Sequence, residues 1–303
     1  MAKLVTPQME KINRRYLKSD GTRKSTSPGR EAWSRLIRNK TAVVGMFLII
    51  IILLTAVFAD LIAPYDPTEQ DYTAISKWPS PEHIFGTDKI GRDLFSRCVY
   101  GARYSIPIAL LAISASLCIG GLLGFIAGYC GGRVDNVIMR IADIFQAIPG
   151  VLLAIAIVAT LGNGIPILIF AMSIGALPSC ARTCRGAILT VRTNEYIEST
   201  RAIGAGNIRV LFRHMLPNAV GPIIIFVVGM TSITILQIAA LSYIGVGIAP
   251  PTPEWGTLLS YGRDNLQSHP YMVWFPGLMI IISVFGFNLF GDGLRDALDP
   301  RLK

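Results

Sequence analysis

Charge is scarce in this sequence. Only 16% of its 303 residues are Asp, Glu, Lys or Arg, where a soluble domain carries about a quarter. Histidine is scarcer still, with three in the chain, and His83, His214 and His269 fall in three separate polar segments. Neither His-Glu-x-x-His nor Gly-x-Ser-x-Gly is present, which excludes the helical zinc-hydrolase and nucleophile-elbow arrangements. No Gly-x-x-x-x-Gly-Lys-Ser/Thr occurs, so ATP is not bound through a phosphate loop; the Gly86…Gly91 spacing lacks the terminal Lys-Ser/Thr. Five cysteines form no disulfide framework and no C-x-x-C. Cys180 and Cys184 are spaced i,i+4 without a histidine beside them, and they read as small apolar helix residues rather than a metal site.

Apolar residues fill the space that charge leaves, at 52% of the chain and a mean hydropathy of +0.51. They are clustered. Thr41–Ala59, Tyr104–Gly132, Ile144–Ala181, Met215–Pro253 and Asn265–Gly291 contain no Asp, Glu, Lys or Arg. A span needs about 20 mostly apolar residues to cross a hydrocarbon core of about 30 Å. The third block is broken by Gly162-Asn163-Gly164-Ile165-Pro166 and reads as two helices joined by a tight turn, the first borrowing residues from about Asp135 onward. The other blocks hold one span each. The expectation is an all-α integral membrane protein with six transmembrane helices, because lipid tolerates only segments that satisfy their own backbone hydrogen bonds.

Orientation follows from Lys and Arg. With the N-terminus inside, the inner segments carry 22 of them and the outer segments 6, while acids divide almost evenly. Both termini are therefore expected in the cytoplasm. The net charge of +9 is first a topology signal, and anionic headgroups account for the basic tail without nucleic acid. The first apolar block begins too far along the chain for a cleaved signal peptide and reads as an uncleaved span.

The segments then fall in order. Residues 1–30 read as a flexible basic cytoplasmic tail. Residues 31–63 combine a helix at the inner headgroup level, with Trp33, Leu36 and Ile37 on one face, and the first span. Residues 64–103 form an outer loop. Its first half is irregular, and in its second half Ile90, Leu94 and Phe95 suggest a short amphipathic helix. Residues 104–293 are the core, with five spans, and 294–303 a cytoplasmic tail. Gly120, Gly124 and Gly128 line one face of the second span and suit close helix packing. Arg140 and Asp143, at i,i+3 near an inner membrane end, are expected to pair with each other, and Pro149-Gly150 to kink the third span.

The polar segment 186–218 is patterned rather than random. Ile208, Leu211, Phe212 and Met215 fall at i, i+3, i+4, i+7, and Tyr196, Thr200 and Ile203 at i, i+4, i+7. Two short amphipathic helices under the membrane are expected, with Gly204-Ala205-Gly206 as the turn and Leu216-Pro217 ending the second.

This segment resembles the EAA loop of ABC-transporter permeases: Glu-Ala-Ala, three residues, Gly, nine residues, Ile, one residue, Leu-Pro. Glu198, Gly204, Leu216 and Pro217 are in register; Ser199-Thr200 replaces Ala-Ala and His214 replaces Ile. His214-Met215-Leu216-Pro217-Asn218 is similar to the peptide-transporter branch. So are Phe85–Arg97 with Gly101–Ser105, Ala240–Gly247 with Pro250–Gly256, and Asn288–Pro300, which resemble the C-type permease subunit of dipeptide and oligopeptide importers. Four such motifs in order cover about residues 31–303.

The resemblance implies a type I importer transmembrane domain, not itself an enzyme, in the cell membrane. It implies no cofactor on this chain, ATP and Mg being held by two cytoplasmic ATPase subunits. The other implied partners are a homologous second permease, an outer solute-binding protein and membrane lipid, and no nucleic acid. It makes Glu198, Ser199, Thr200, Arg201, Gly204, Ile208, Leu211, Phe212, His214, Leu216 and Pro217 the ATPase-coupling loop. Within it, Glu198 and Arg201 are polar contacts with the ATPase, and Ile208, Leu211 and Phe212 anchor the loop to the bundle. Nickel, glutathione or another small solute is the alternative cargo in this branch. A secondary carrier or an intramembrane enzyme is the alternative of another class, although no inverted repeat and no convergent constellation is visible.

Overall fold

The computed structural model describes residues 28–298. Most of the tail expected over 1–30, and residues 299–303, lie outside the described residues. Every named element is helical, and an isolated bridge between Thr87 and Asp93 supplies the β-type pairing.

Helix α1 (Pro28–Arg38) buries Leu36 and leaves Trp33 and Ile37 exposed. Asn39 then caps α2 (Lys40–Val57), its side chain accepting from the Thr41 and Ala42 amides. Helix α3 (Leu94–Cys130) is 37 residues long and contains a π-turn at Leu117–Gly121. Helices α4 (Gly132–Gln146) and α5 (Gly150–Leu161) meet at 77°. Helix α6 (Ile165–Arg192) is followed by the short α7 (Glu195–Ala202). Then come α8 (Asn207–Tyr243), α9 (Trp255–Arg263) and α10 (Tyr271–Leu298). Five of these, α2, α3, α6, α8 and α10, are long and apolar enough to cross a membrane, and counting α4–α5 as one broken span gives six.

Small residues let the spans approach. Among the described residues, Gly120, Gly124 and Gly128 of α3 all face α6. A Cβ on Gly120 would stand 2.6 Å from the Leu177 carbonyl oxygen, one on Gly124 would fall on that of Ala181, and one on Gly128 would stand 2.9 Å from that of Arg185. Gly45 of α2 sits as closely on α10, where a Cβ would press on Phe290 and Gly286. Backbone-to-backbone approach of this kind supplies van der Waals packing where lipid removes the hydrophobic drive between helices. The main core is correspondingly rich in Ala, with Ala102, Ala109, Ala112, Ala154 and Ala171 all buried.

Four expectations change here. The outer stretch 86–97 is not an amphipathic helix. Gly86 and Gly91 take positive φ, 75° and 84°, and Asp88 ties the loop by accepting from the Ile90 and Arg92 amides. Helix α3 starts at Leu94, after Asp93 caps it through the Ser96 amide at 2.7 Å. Pro149-Gly150 does not merely kink a span but separates α4 from α5. Arg140 and Asp143 do not pair. Asp143 meets Arg182 of α6 at 2.8 Å, and Arg140 is exposed. A partner on a packed neighbour wins over one on the same helix when α4 lies against α6, as the Arg185–Asp135 pair shows a second time. Finally, Leu294–Leu298 continue α10 rather than forming a tail.

The segment that leads from α2 into α3 is tied to the rest of the bundle. Tyr271 Oη donates toward the Lys77 and Thr87 carbonyls at 2.8 and 3.0 Å, and Trp255 Nε1 donates to the Cys98 carbonyl at 2.9 Å. Phe85 stacks on Phe275 with ring centroids 3.9 Å apart. Asp60 binds Arg103 at 2.8 Å, and hydrogen bonds from Arg103 and Tyr100 hold its carboxyl below the ordinary range.

Candidate coupling surface and membrane cleft

The segment between α6 and α8 is built from three consecutive turns of backbone logic. Helix α7 ends with Gly204 in the left-handed region, φ 85°, while the Ala205 amide bonds back to the Thr200 carbonyl at 3.3 Å. That is a Schellman stop, for which glycine is the natural residue. A Cβ on Gly204 would touch nothing within 4 Å, so the backbone angle alone demands glycine. Helix α8 begins at Asn207, whose side chain accepts from Tyr129 Oη at 2.6 Å and so meets the inner end of α3. Its second turn, Val210–Met215, is a π-turn.

The π-turn overturns two expectations. Pro217 does not end a helix: it sits in the first turn after the wide one, and α8 runs on unbroken to Tyr243. A π-turn already departs from the i→i+4 ladder, so the missing proline amide and the bulk of its ring disrupt less there. The apolar stripe is also displaced. Val210 and Met215 are fully buried together with Ile197 of α7, packed among Ile188, Val191, Ala219 and Ile223. These anchor the segment, with the expected Leu211 half-buried against them; Ile208 and Phe212 do not, being 78% and 53% exposed. A 3.6-residue period carried through a turn with i→i+5 bonds keeps Leu211 and Met215 on the packed side and misplaces Ile208 and Phe212.

The consequence is that this short segment exposes four apolar side chains, Tyr196, Ile203, Ile208 and Phe212, along with Glu195, Glu198, Arg209 and Arg213. Ser199 and Thr200 bond back to the Glu195 and Tyr196 carbonyls at 3.1 and 2.7 Å, which leaves their methylene and methyl groups outward. Arg201 lies on α7. The His214 carbonyl accepts from Asn218 Nδ2 at 2.7 Å, and Leu216 is half-buried.

Sequence reasoning did not find a second feature. Where α4 breaks from α5, a cleft of about 210 Å³ opens against α6 and α8, lined by Gln146, Pro149, Met172, Ser179, Met230 and Gln237 among others. Among the described residues the side chains of Gln146, Ser179 and Gln237 have no hydrogen-bond partner, and no charged side chain lines the cleft. An amide facing hydrocarbon without a partner is costly, so this cleft suits water or a polar solute rather than lipid. The legible signal was Gln237, an amide in the interior of the fourth charge-free block. Among the described residues no cluster of His, Cys, Asp and Glu is placed to hold a metal.

The family of binding-protein-dependent transport system inner membrane components matches residues 120–303, and the N-terminal TM domain of oligopeptide transport permease C matches residues 27–79. The dipeptide transport system permease protein DppC of Alkalihalophilus pseudofirmus is 44% identical over 279 residues, 92% of both chains. The di/tripeptide transport system permease protein DppC of Pseudomonas aeruginosa is 43% identical, covering 91% of this chain and 93% of that one. The glutathione transport system permease protein GsiD of Pectobacterium atrosepticum is 41% identical, covering 91% and 92%. Among solved structures, an inward-facing conformation of the MetNI methionine ABC transporter shares the fold, with a TM-score of 0.58, 19% identity, and coverage of 68% of this chain and 98% of that one.

Proposed function

We propose that this chain, which belongs to the family of binding-protein-dependent transport system inner membrane components, is the transmembrane subunit of an ABC importer that moves dipeptides and oligopeptides inward. The observation that carries this is the identity of 43–44% to two di- and tripeptide permeases across more than nine-tenths of each chain. Two cytoplasmic ATPases supply ATP and Mg, a second permease completes the bundle, and an outer binding protein delivers the peptide. Both termini lie in the cytoplasm, in keeping with the Lys and Arg excess of the inner segments.

The coupling route follows from α8. Its exposed Ile208 and Phe212 lie at the inner end and Gln237 near the outer end of one continuous helix, about 40 Å apart at 1.5 Å per residue. An ATPase seated on Tyr196, Ile203, Ile208 and Phe212 moves α7 and the start of α8 as one packed unit, since Ile197, Val210 and Met215 lock them together. Displacement of that unit shifts Gln237 against Gln146 and Ser179, the change between inward- and outward-facing packings. Neutral amides in the cleft match the backbone of a peptide, donating and accepting without selecting for side-chain charge.

The test is ATP-driven uptake of a labelled dipeptide by the purified complex in liposomes, with its binding protein supplied. Co-purification of two ATPases and a second permease is expected; a lone homo-oligomer that transports without ATP would contradict the proposal. Glutathione is the second cargo to consider, favoured by the relatives named as glutathione permeases at 41–44% identity. Competition separates the two, since unlabelled glutathione blocks uptake only if it is a cargo.

Gly204→Leu is expected to leave the amount of permease in the membrane unchanged and to lower transport at least about tenfold. A side chain in the left-handed region costs about 1–2 kcal/mol, enough to unravel the Schellman stop and shift the exposed patch. Gly204→Asn, which tolerates that region, is expected to keep most of the activity. Equal transport by the Leu variant and wild type would contradict the coupling role.

A further inference from the structure

A second cleft, of about 310 Å³, lies beyond the end of α8. It is bounded by Asn163 in the α5–α6 turn, by Gly245 and Ile248 after α8, by Ser260, Tyr261 and Arg263 on α9 and Asp264 just after it, with Lys89 from the outer loop. We propose that this cleft is a carboxylate-binding entry site that receives the C-terminal carboxylate of the incoming peptide. The inference rests on the peptide-import function above and adds a recognition site to it.

The chemistry is set by an excess of cations. Lys89 Nζ lies 4.8 Å from the centroid of the Tyr261 ring, and the Arg92 guanidinium lies 5.0 Å from the same ring. Among the described residues Lys89 has no carboxylate partner, and it is partly buried. Behind the ring, Arg92 and Arg97 share the single carboxylate of Asp88, at 2.7 and 3.7 Å. Both guanidiniums are more than nine-tenths buried, and Arg92 Nη2 and Arg97 Nε find no hydrogen-bond partner. Arg263 meets Asp264 at 3.4 Å on the exposed rim. The other carboxylates of these elements are occupied. Asp93 caps α3 and holds His83 at 2.9 Å, and Glu254 caps α9 through the Gly256 and Thr257 amides at 2.9 Å each.

Cations buried in surplus create a positive field that water screens poorly, and it reaches the ligand space through a partly buried lysine. The neutral lining suits the rest of a carboxylate's needs. Asn163, Ser260 and Tyr261 have no hydrogen-bond partner among the described residues, and their side chains bring an amide and two hydroxyls to the cleft. A metal cation is disfavoured by the same field. Lys89 thus serves as the charged contact, because Arg263 at the mouth is already met by Asp264, the one acid of the lining.

The experiment compares one dipeptide as its free acid and as its C-terminal amide. Uptake is measured in liposomes bearing the complete complex, with binding protein loaded to saturation with each peptide beforehand. Wild type is expected to import the free acid at least about tenfold faster than the amide, the value of one charge-assisted contact. Lys89→Gln is expected to bring that ratio to about one, and Lys89→Arg to restore it. Equal slowing of both peptides by Lys89→Gln would place the anion on the binding protein and overturn the proposal, as would a wild-type ratio near one. Wild-type complex that imports neither peptide would instead remove the peptide-import function itself.

Discussion

The double variant Ile208→Asp/Phe212→Asp is expected to accumulate in the membrane at wild-type levels and to lose transport by at least about a hundredfold. Both side chains are more than half exposed, so no core contact is lost, and exposed substitutions of this kind usually change stability by no more than about 0.5 kcal/mol. What is lost is the apolar centre of a contact surface. Well-seated apolar and aromatic anchors contribute about 2 kcal/mol or more each, and two aspartates also bring unpaired charge into an interface that must exclude water. Pull-down of the ATPase subunits, uptake, and membrane content of the permease are the three measurements. Val210→Asp is the contrast. Val210 is fully buried against Ile197 and Met215, so this change should deplete the folded permease itself. If the double variant still holds its ATPases and transports at the wild-type rate, the exposed patch is not the coupling surface.

The second large effect is structural. Gly124→Val is expected to prevent stable assembly of the bundle. The new Cβ would fall on the Ala181 carbonyl oxygen and stand 2.9 Å from the Cys184 Cβ. Neither a backbone carbonyl nor a Cβ is the free end of a flexible chain, so α3 and α6 must separate. Overpacking costs about 1–3 kcal/mol where side chains yield, and more where backbone must move. A loss of about 3 kcal/mol corresponds to a fall in Tm of about 6–12 °C for a domain of this size class. Gly186→Ala, on the same helix pair but with open space around it, should leave Tm unchanged or slightly raised. Equal thermal stability of Gly124→Val and wild type in detergent would show that α3 and α6 are not held as closely as these glycines indicate.

The same two helices show how far local pattern reaches. The every-fourth-residue glycines of α3 are visible in the sequence because a close contact leaves a mark on one chain segment alone. Their partner is not visible: nothing in Leu177, Ala181 or Arg185 announces that their carbonyls receive them. Asp143 makes the point for charge. Spacing on its own helix nominates Arg140, yet Arg182, 39 residues later, takes the contact, because the distance between α4 and α6 is decided by packing. The coupling segment shows it for apolar residues. Of the residues with a helical pattern, Tyr196, Ile203, Ile208 and Phe212 are exposed and Met215 is buried, while Ile197 and Val210, outside the pattern, share the burial.

The amino-acid sequence by itself determined the all-helical membrane class, the apolar crossing segments, the absence of a phosphate loop and the kinship of the polar loop at 198–217. Each of these is a local property. Hydrocarbon forces every crossing segment to satisfy its own backbone, so twenty apolar residues are sufficient to declare a helix, and a motif is a matter of register along one chain. Only the tertiary structure decided that α8 passes through Pro217 without ending, which residues of the loop face outward, and where the two clefts lie. Those depend on distances between segments far apart in sequence. A π-turn shifts the helical face by one residue, and a broken span swings one helix 77° from the next; both are settled by what the rest of the bundle leaves room for.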